Sequence, residues 1–248
     1  MVTLRKLNLP KNYSYSSQLN PENYGSAKTL FQAAVAIVLL LRDSTGGVAL
    51  PAPTLQNPCR ETAALVQVFP SLSEQLDSVI ETTQGASDSA NELLTALQGD
   101  GFLTENDIGR LTAGNLQELP LRNASVNLTT SNMDDIVSTD HTDMSTYIVF
   151  VREALVEQHA FDNGILTREL NDLKTKLFAS LCKVKILLMS RNIPVPSFDD
   201  SSAMPEEMKN IKDATIRYSR DYKIANHTKD FLESVSTMYY NFLETTKA

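Results

Sequence analysis

Few side chains in this sequence could carry chemistry, and their spacing limits what that chemistry could be. There are two cysteines, Cys59 and Cys182, and three histidines, His141, His159 and His227. Two thiols cannot fill a four-cysteine zinc site, though they can close one disulfide in an oxidising compartment. Asp134, Asp135, Asp140, His141 and Asp143 crowd oxygen and nitrogen donors into a short stretch. The plainer reading is an acidic helix start, because carboxylates favour the positive end of the helix dipole. The scattered histidines read as helix-surface residues. No Gly-rich phosphate loop, nucleophile elbow, His/carboxylate cluster or metal-ligand spacing occurs, so no catalytic residue, cofactor or metal is expected and the chain reads as a non-enzyme.

Charge narrows the partners. A net charge of −8 and a pI near 4.9 argue against DNA or RNA, which demand a basic surface. Four Asn-x-Ser/Thr sequons stand at Asn12, Asn123, Asn127 and Asn226. Asn123, Asn127 and Asn226 are the expected glycosylation sites if the chain is secreted, and the first two fall in a predicted loop.

The elements that must position these residues are helices. Glycine is scarce and helix formers are common, which favours an all-α fold. In 167–192, Leu170, Leu173, Leu177, Leu181, Val184 and Leu188 recur every three or four residues, with Leu166 just ahead. That period lays them on one face of a helix roughly 39 Å long at about 1.5 Å per residue. Cys182 rides on it, and Ile193-Pro194-Val195-Pro196 ends it.

The amino-terminal fifth differs. Leu30–Leu41 is the most hydrophobic run, too short for a membrane span of about 20 residues. With Lys28 before it and Gly47-Val48-Ala49 after it, it reads as a signal peptide with a long n-region covering 1–49. The mature chain, 50–248, is then expected to be secreted and not membrane-inserted. The other reading makes 30–41 a core helix of an intracellular adaptor or scaffold.

Helices are predicted over about 72–98, 133–161, 165–192 and 206–245, from apolar periodicity and breaks at Gly99-Asp100-Gly101 and Asp162-Asn163-Gly164. Gly85 and Ser87 weaken the first. Ser131 and Asp134 suggest a capping box opening the second. Leu111, Leu116, Leu119 and Leu121 are expected to lie against the helices. Ile211, Ala214, Tyr218, Ala225, Phe231, Leu232, Val235, Met238, Tyr239 and Phe242 form the inner face of the fourth helix. Helices two and three, joined by a few residues, must be antiparallel neighbours, whereas the connections of about 35 and about 13 residues on either side can run the length of a bundle. The predicted architecture is a long-chain four-helix bundle, up-up-down-down with overhand crossovers.

Several segments resemble the interleukin-6 family of helical cytokines. GASDSANELLTALQGDGFLTENDIGRL, at Gly85–Leu111, resembles the end of the first helix and the following loop of its member leukaemia inhibitory factor. Asn57-Pro58-Cys59 resembles the family's amino-terminal Pro-Cys, and LFASLC at Leu177–Cys182 its third-helix cysteine segment. LLMSRNIPVP, at Leu187–Pro196, is similar to interleukin-11 and ciliary neurotrophic factor. The resemblance covers the chain after Pro58 in layout more than in identity. It implies a Cys59–Cys182 disulfide; the additional cysteines of leukaemia inhibitory factor are missing.

It also implies a ligand without chemistry of its own, a monomer that holds class I cytokine receptor ectodomains together. Partners would be the family's shared signal transducer and, among members presenting Phe-x-x-Lys at the fourth helix, the leukaemia inhibitory factor receptor. Here Tyr218 takes the Phe position and Asp221, of opposite charge, the Lys position. The face of helices one and three that meets the shared transducer maps by register to Ser78, Glu81, Gly85, Asn171, Asp172 and Thr175.

Overall fold

The computed structural model describes residues 59, 69–99, 102–104, 107, 119–122, 127–197 and 204–247. All belong to one unit, Thr54–Ala248. The predicted signal segment, the sequons Asn12 and Asn123, and Leu111 and Leu116 lie outside the described residues. Within these residues the protein is all-helical: α1 (Leu72–Gly99), α2 (Met133–Phe161), α3 (Thr167–Ser190) and α4 (Ala214–Lys247), with one 3-10 turn at Glu206–Met208 and no strand. Among the described residues no helix is long and apolar enough to cross a membrane.

The start of α1 is fixed by a capping box at Ser71 and Glu74. The Glu74 carboxylate accepts from Ser71 N and Oγ, both at 2.8 Å, and Ser71 Oγ accepts from Glu74 N at 3.3 Å. The Ser71 hydroxyl, more than its amide, holds the Glu74 carboxyl below its ordinary range. From there Leu76, Val79, Ile80, Thr83, Ala86, Ala90, Leu93, Leu94 and Leu97 form one buried stripe. Gly85 does not interrupt the helix; open space surrounds the position its Cβ would take.

The capping box expected at Ser131 and Asp134 does not form. Asn132 is the N-cap residue of α2 and makes no side-chain cap bond. Its amide closes the preceding turn instead, accepting from Thr129 N at 2.7 Å and donating to Asn127 O at 2.9 Å. Asp134 is thereby free to pair with Arg191, 2.6 Å away beyond the end of α3.

The leucine stripe of α3 is buried as its period predicts. The helix stops in a left-handed asparagine: Asn192 has φ 59°, and Ile193 N donates to Leu188 O at 2.9 Å. The fourth helix starts at Ala214, not near 206. Asn210, with φ 56°, breaks the chain after the 3-10 turn, and Asp213 Oδ1 accepts from Ile216 N at 3.1 Å to open the helix. Ile211 is therefore only half-buried and Ala214 exposed, while the other inner-face residues predicted for this helix are buried.

α1 packs on α3 and α4, and α2 packs on α3 and more lightly on α4. Gln75 near the start of α1 accepts from Ser190 Oγ at the end of α3 at 2.8 Å. One bond joins Cys59 to Cys182, with an S–S length of 1.98 Å, tying the segment ahead of α1 to the third helix. Three sequence expectations need correction here. His141 and His227 are buried rather than on the surface, and Leu121 is exposed while Leu119 is buried. Each reflects tertiary packing that a single helix's period does not carry.

Candidate functional site

Where α2 ends and α4 begins, five charged side chains are buried together: Glu157, Asp162, Arg217, Arg220 and Asp221. Burial of isolated ions is prohibitive, so the arrangement has to pair them. Arg217 grips Asp162 with two nitrogens, Nε at 2.8 Å, and its third donates to Ile211 O at 2.6 Å. Arg220 bonds Glu157 at 2.9 Å, Asp221 at 2.6 Å and Met208 O at 2.7 Å. Glu157 also accepts from Asn210 N at 2.7 Å. The two arginines thus lash the chain leading into α4 onto the bundle. The Asp162 carboxylate raises the Arg217 pKa. Burial pushes the Asp221 carboxyl up, against the opposing pull of Arg220.

This fastened corner carries exposed apolar side chains. The Phe161 ring lies 5.2 Å from the Arg217 guanidinium carbon, in cation–π range. Phe161 is 41% exposed, Ile165 in the following turn 54% and Ile216 beside Arg217 58%. Ile165 N donates to the backbone O of Asp162, whose carboxylate pairs with Arg217 in the first turn of α4. Phe161 lies on the surface, while Asp162, the next residue, is buried.

The expected receptor contacts fare differently. Tyr218 is 7% exposed, its ring 4.6 Å from that of Phe102, and Asp221 is 1% exposed. Neither presents the surface that the Phe-x-x-Lys comparison assigns it: the stripe of α4 turns both inward, and Arg220 neutralises Asp221.

On the α1/α3 side, Glu81 and Thr175 are exposed and Ser78, Gly85, Asn171 and Asp172 half-buried. Thr175 Oγ1 donates to Asn171 O at 2.7 Å, and Ser78 O accepts from Thr82 at 2.9 Å. Asp172 is a strut between helices, accepting from Ser89 Oγ on α1 and pairing with Lys176 at 3.1 Å. The Ser89 hydroxyl is the main reason its carboxyl stays below the ordinary range. Asp172 and Lys176 line a shallow groove of about 700 Å³ with Glu92, Thr95, Arg168 and Glu169.

No family model, curated protein or solved structure matches this chain. Among the described residues no group of three His, Cys, Asp or Glu side chains could hold a metal. Asp140 and His141, from the acidic stretch, are committed to the interior: Asp140 pairs with Arg122 and accepts from Tyr239 Oη at 2.8 Å. The α2/α4 corner thus exposes apolar side chains, and the α1/α3 face exposes polar ones.

Sequence reasoning missed Phe161, Ile165 and Ile216 as surface residues and Arg217 and Arg220 as their support. One signal was available. Arg217 and Arg220 fall in phase with Tyr218, Ala225 and Phe231 on the inner stripe of α4, and an arginine at a core position demands a buried carboxylate.

Proposed function

We propose that this chain is a secreted helical cytokine of the interleukin-6 type, which assembles class I cytokine receptor chains so that their associated kinases activate STAT proteins. The observation that carries the reading is the Cys59–Cys182 bond. Disulfides persist mainly in oxidising compartments, which supports the secreted reading, and this pairing is the one the family resemblance implies.

Contacts between helix ends support the up-up-down-down arrangement. The start of α1 meets the end of α3 through Gln75 and Ser190, and Ser89 farther along α1 meets Asp172 early in α3. Asp134 at the start of α2 meets Arg191, and Asp140 meets Tyr239 late in α4. Glu157 near the end of α2 meets Arg220 near the start of α4. Rods one and two then share a direction opposite to that of three and four.

The receptor anchor in this reading is the Phe161–Ile165–Ile216 corner, in place of Tyr218 and Asp221. Apolar side chains held on a rigid frame lose little entropy on docking, and a few such anchors dominate an interface. The α1/α3 face with Glu81, Asn171 and Thr175 is the second contact, for the shared transducer.

The test is expression of the full chain in cultured cells, followed by capture of the medium on receptor ectodomains. Secretion with a start near Leu50, a Cys59–Cys182 bond and binding to the shared transducer are expected. Ile216→Asp should weaken binding of a second receptor at least tenfold, about 1.4 kcal/mol, with melting unchanged. A chain retained in the cytosol with both thiols reduced would instead favour the intracellular adaptor.

A further inference from the structure

The loop ahead of α2 and the last turns of α4 enclose an open groove of about 720 Å³. Its wall includes Asn127 and Thr129 on one side and Asp230, Glu233, Thr237 and Asn241 on the other. Asn127 is therefore both the acceptor of a sequon, Asn127-Leu128-Thr129, and a lining residue of this groove. We propose that Asn127 carries an N-linked glycan whose first sugars lie in the groove and cover this face of α4.

Local structure separates Asn127 from Asn226. Asn127 and Thr129 are exposed and outside any helix. An acceptor asparagine in a surface loop is what the modification favours. Asn226 sits within α4, its Nδ2 donating to Asp230 at 3.2 Å, and the hydroxyl of Thr228 is buried and donates to Ile224 O at 2.7 Å. In that sequon the acceptor is half-buried within a helix and the threonine is fully buried.

In the transfer, Asn127 Nδ2 attacks C1 of an oligosaccharide carried as a lipid diphosphate ester. The C1–N bond forms, the C1–O bond to the diphosphate breaks, the nitrogen loses one proton, and the lipid diphosphate leaves with the electron pair. The groove then offers what sugar hydroxyls bind: the Asp230 and Glu233 carboxylates as acceptors, with Thr237 and Asn241 as mixed donors and acceptors. The Phe161–Ile165–Ile216 corner stays bare, because Ile216 and Thr237 are roughly 30 Å apart along α4 at about 1.5 Å per residue.

The inference rests on the chain entering the secretory pathway, so its test supplies that step independently. The full chain is expressed in mammalian cells behind a heterologous signal peptide and mapped by site-specific mass spectrometry. Asn127 should be occupied and Asn226 empty, and Asn127→Gln should lose one glycan while Asn226→Gln loses none. Carbodiimide labelling of Asp230 and Glu233 should be severalfold slower in the glycosylated protein than after enzymatic removal of the sugar. An unmodified Asn127, or equal labelling with and without the sugar, overturns the inference. If the native amino terminus fails to direct secretion while the redirected chain is modified at Asn127, the secretion reading fails and the glycan site stands.

Discussion

The two ends of the α2/α4 pair solve the same problem in opposite ways. Each has a connecting segment to fasten, and each uses arginine. At the start of α2 the arginine belongs to the connecting segment: Arg122 reaches in to Asp140, which also accepts from Tyr239 at 2.8 Å. At the end of α2 the arginines belong to α4, and the segment leading into α4 offers mainly carbonyls, those of Met208, Ile211 and Lys212. The first end relies on one ion pair backed by a neutral hydroxyl and by Tyr147 stacked on Phe231, with Tyr147 Oη bonded to Pro120 O at 2.7 Å. The second is a network in which each arginine holds a carboxylate and a loop carbonyl at once. A network of that kind fixes backbone geometry, and the exposed apolar side chains Phe161, Ile165 and Ile216 sit on this end.

The largest expected effect tests that asymmetry. Arg217→Met leaves Asp162 buried without its cation and frees Ile211 O, and should destabilise by about 3–5 kcal/mol in urea titration. Adding Asp162→Leu should recover most of the loss, since a buried pair replaced by apolar groups is often neutral. A double variant no more stable than the single one would sink the ion-pair account. Arg122→Met should cost less, about 2–3 kcal/mol, because the Tyr239 hydroxyl still serves Asp140. Equal losses at the two ends would erase the contrast.

A smaller effect depends on pH. His141 is buried beside the first end, its Nδ1 has no partner, and burial lowers its pKa to about 4, with Lys185 adding repulsion. The unfolded chain takes up this proton near pH 6.5 and the folded chain only near 4. Stability supplied by the neutral ring is thus complete above about pH 6.5 and falls as pH drops toward 4. His141→Leu should flatten that decline by on the order of 2 kcal/mol, allowing for residual solvent screening. A melting curve with the same pH slope in both proteins would show that other groups set it.

The smallest effect calibrates the rest, far from either end. Gly85 has open space where a Cβ would stand, so Gly85→Ala should raise stability by about 0.5–1 kcal/mol. The opposite sign holds for Gly164, with φ 76° and Thr167 Oγ1 only 2.8 Å from a Cβ, where alanine should destabilise. Thermal denaturation of the two variants side by side reads both signs.

What was legible in the sequence followed period and punctuation. The stripe from Leu170 to Leu188 and the Asn163-Gly164 break need only local geometry, and α2 and α3 begin and end within two residues of expectation. The start of α4 was missed because apolar Ile211 and Ala214 continue the helical period while the backbone at Asn210 departs from it. The site was harder to read. Asp162, next to exposed Phe161, is buried against Arg217, distant in sequence, and Asp221 is buried against Arg220. Side-chain pairing across helices leaves no periodic trace. The inward arginines of α4 were its one visible sign.

The bridge between residues 59 and 182 spans 123 positions of sequence and encloses both α1 and α2. A protease that severs any peptide bond inside that circuit therefore liberates nothing. The nicked product keeps both fragments on one sulfur hinge, migrates as a single species without reductant, and separates into two once thiol is added.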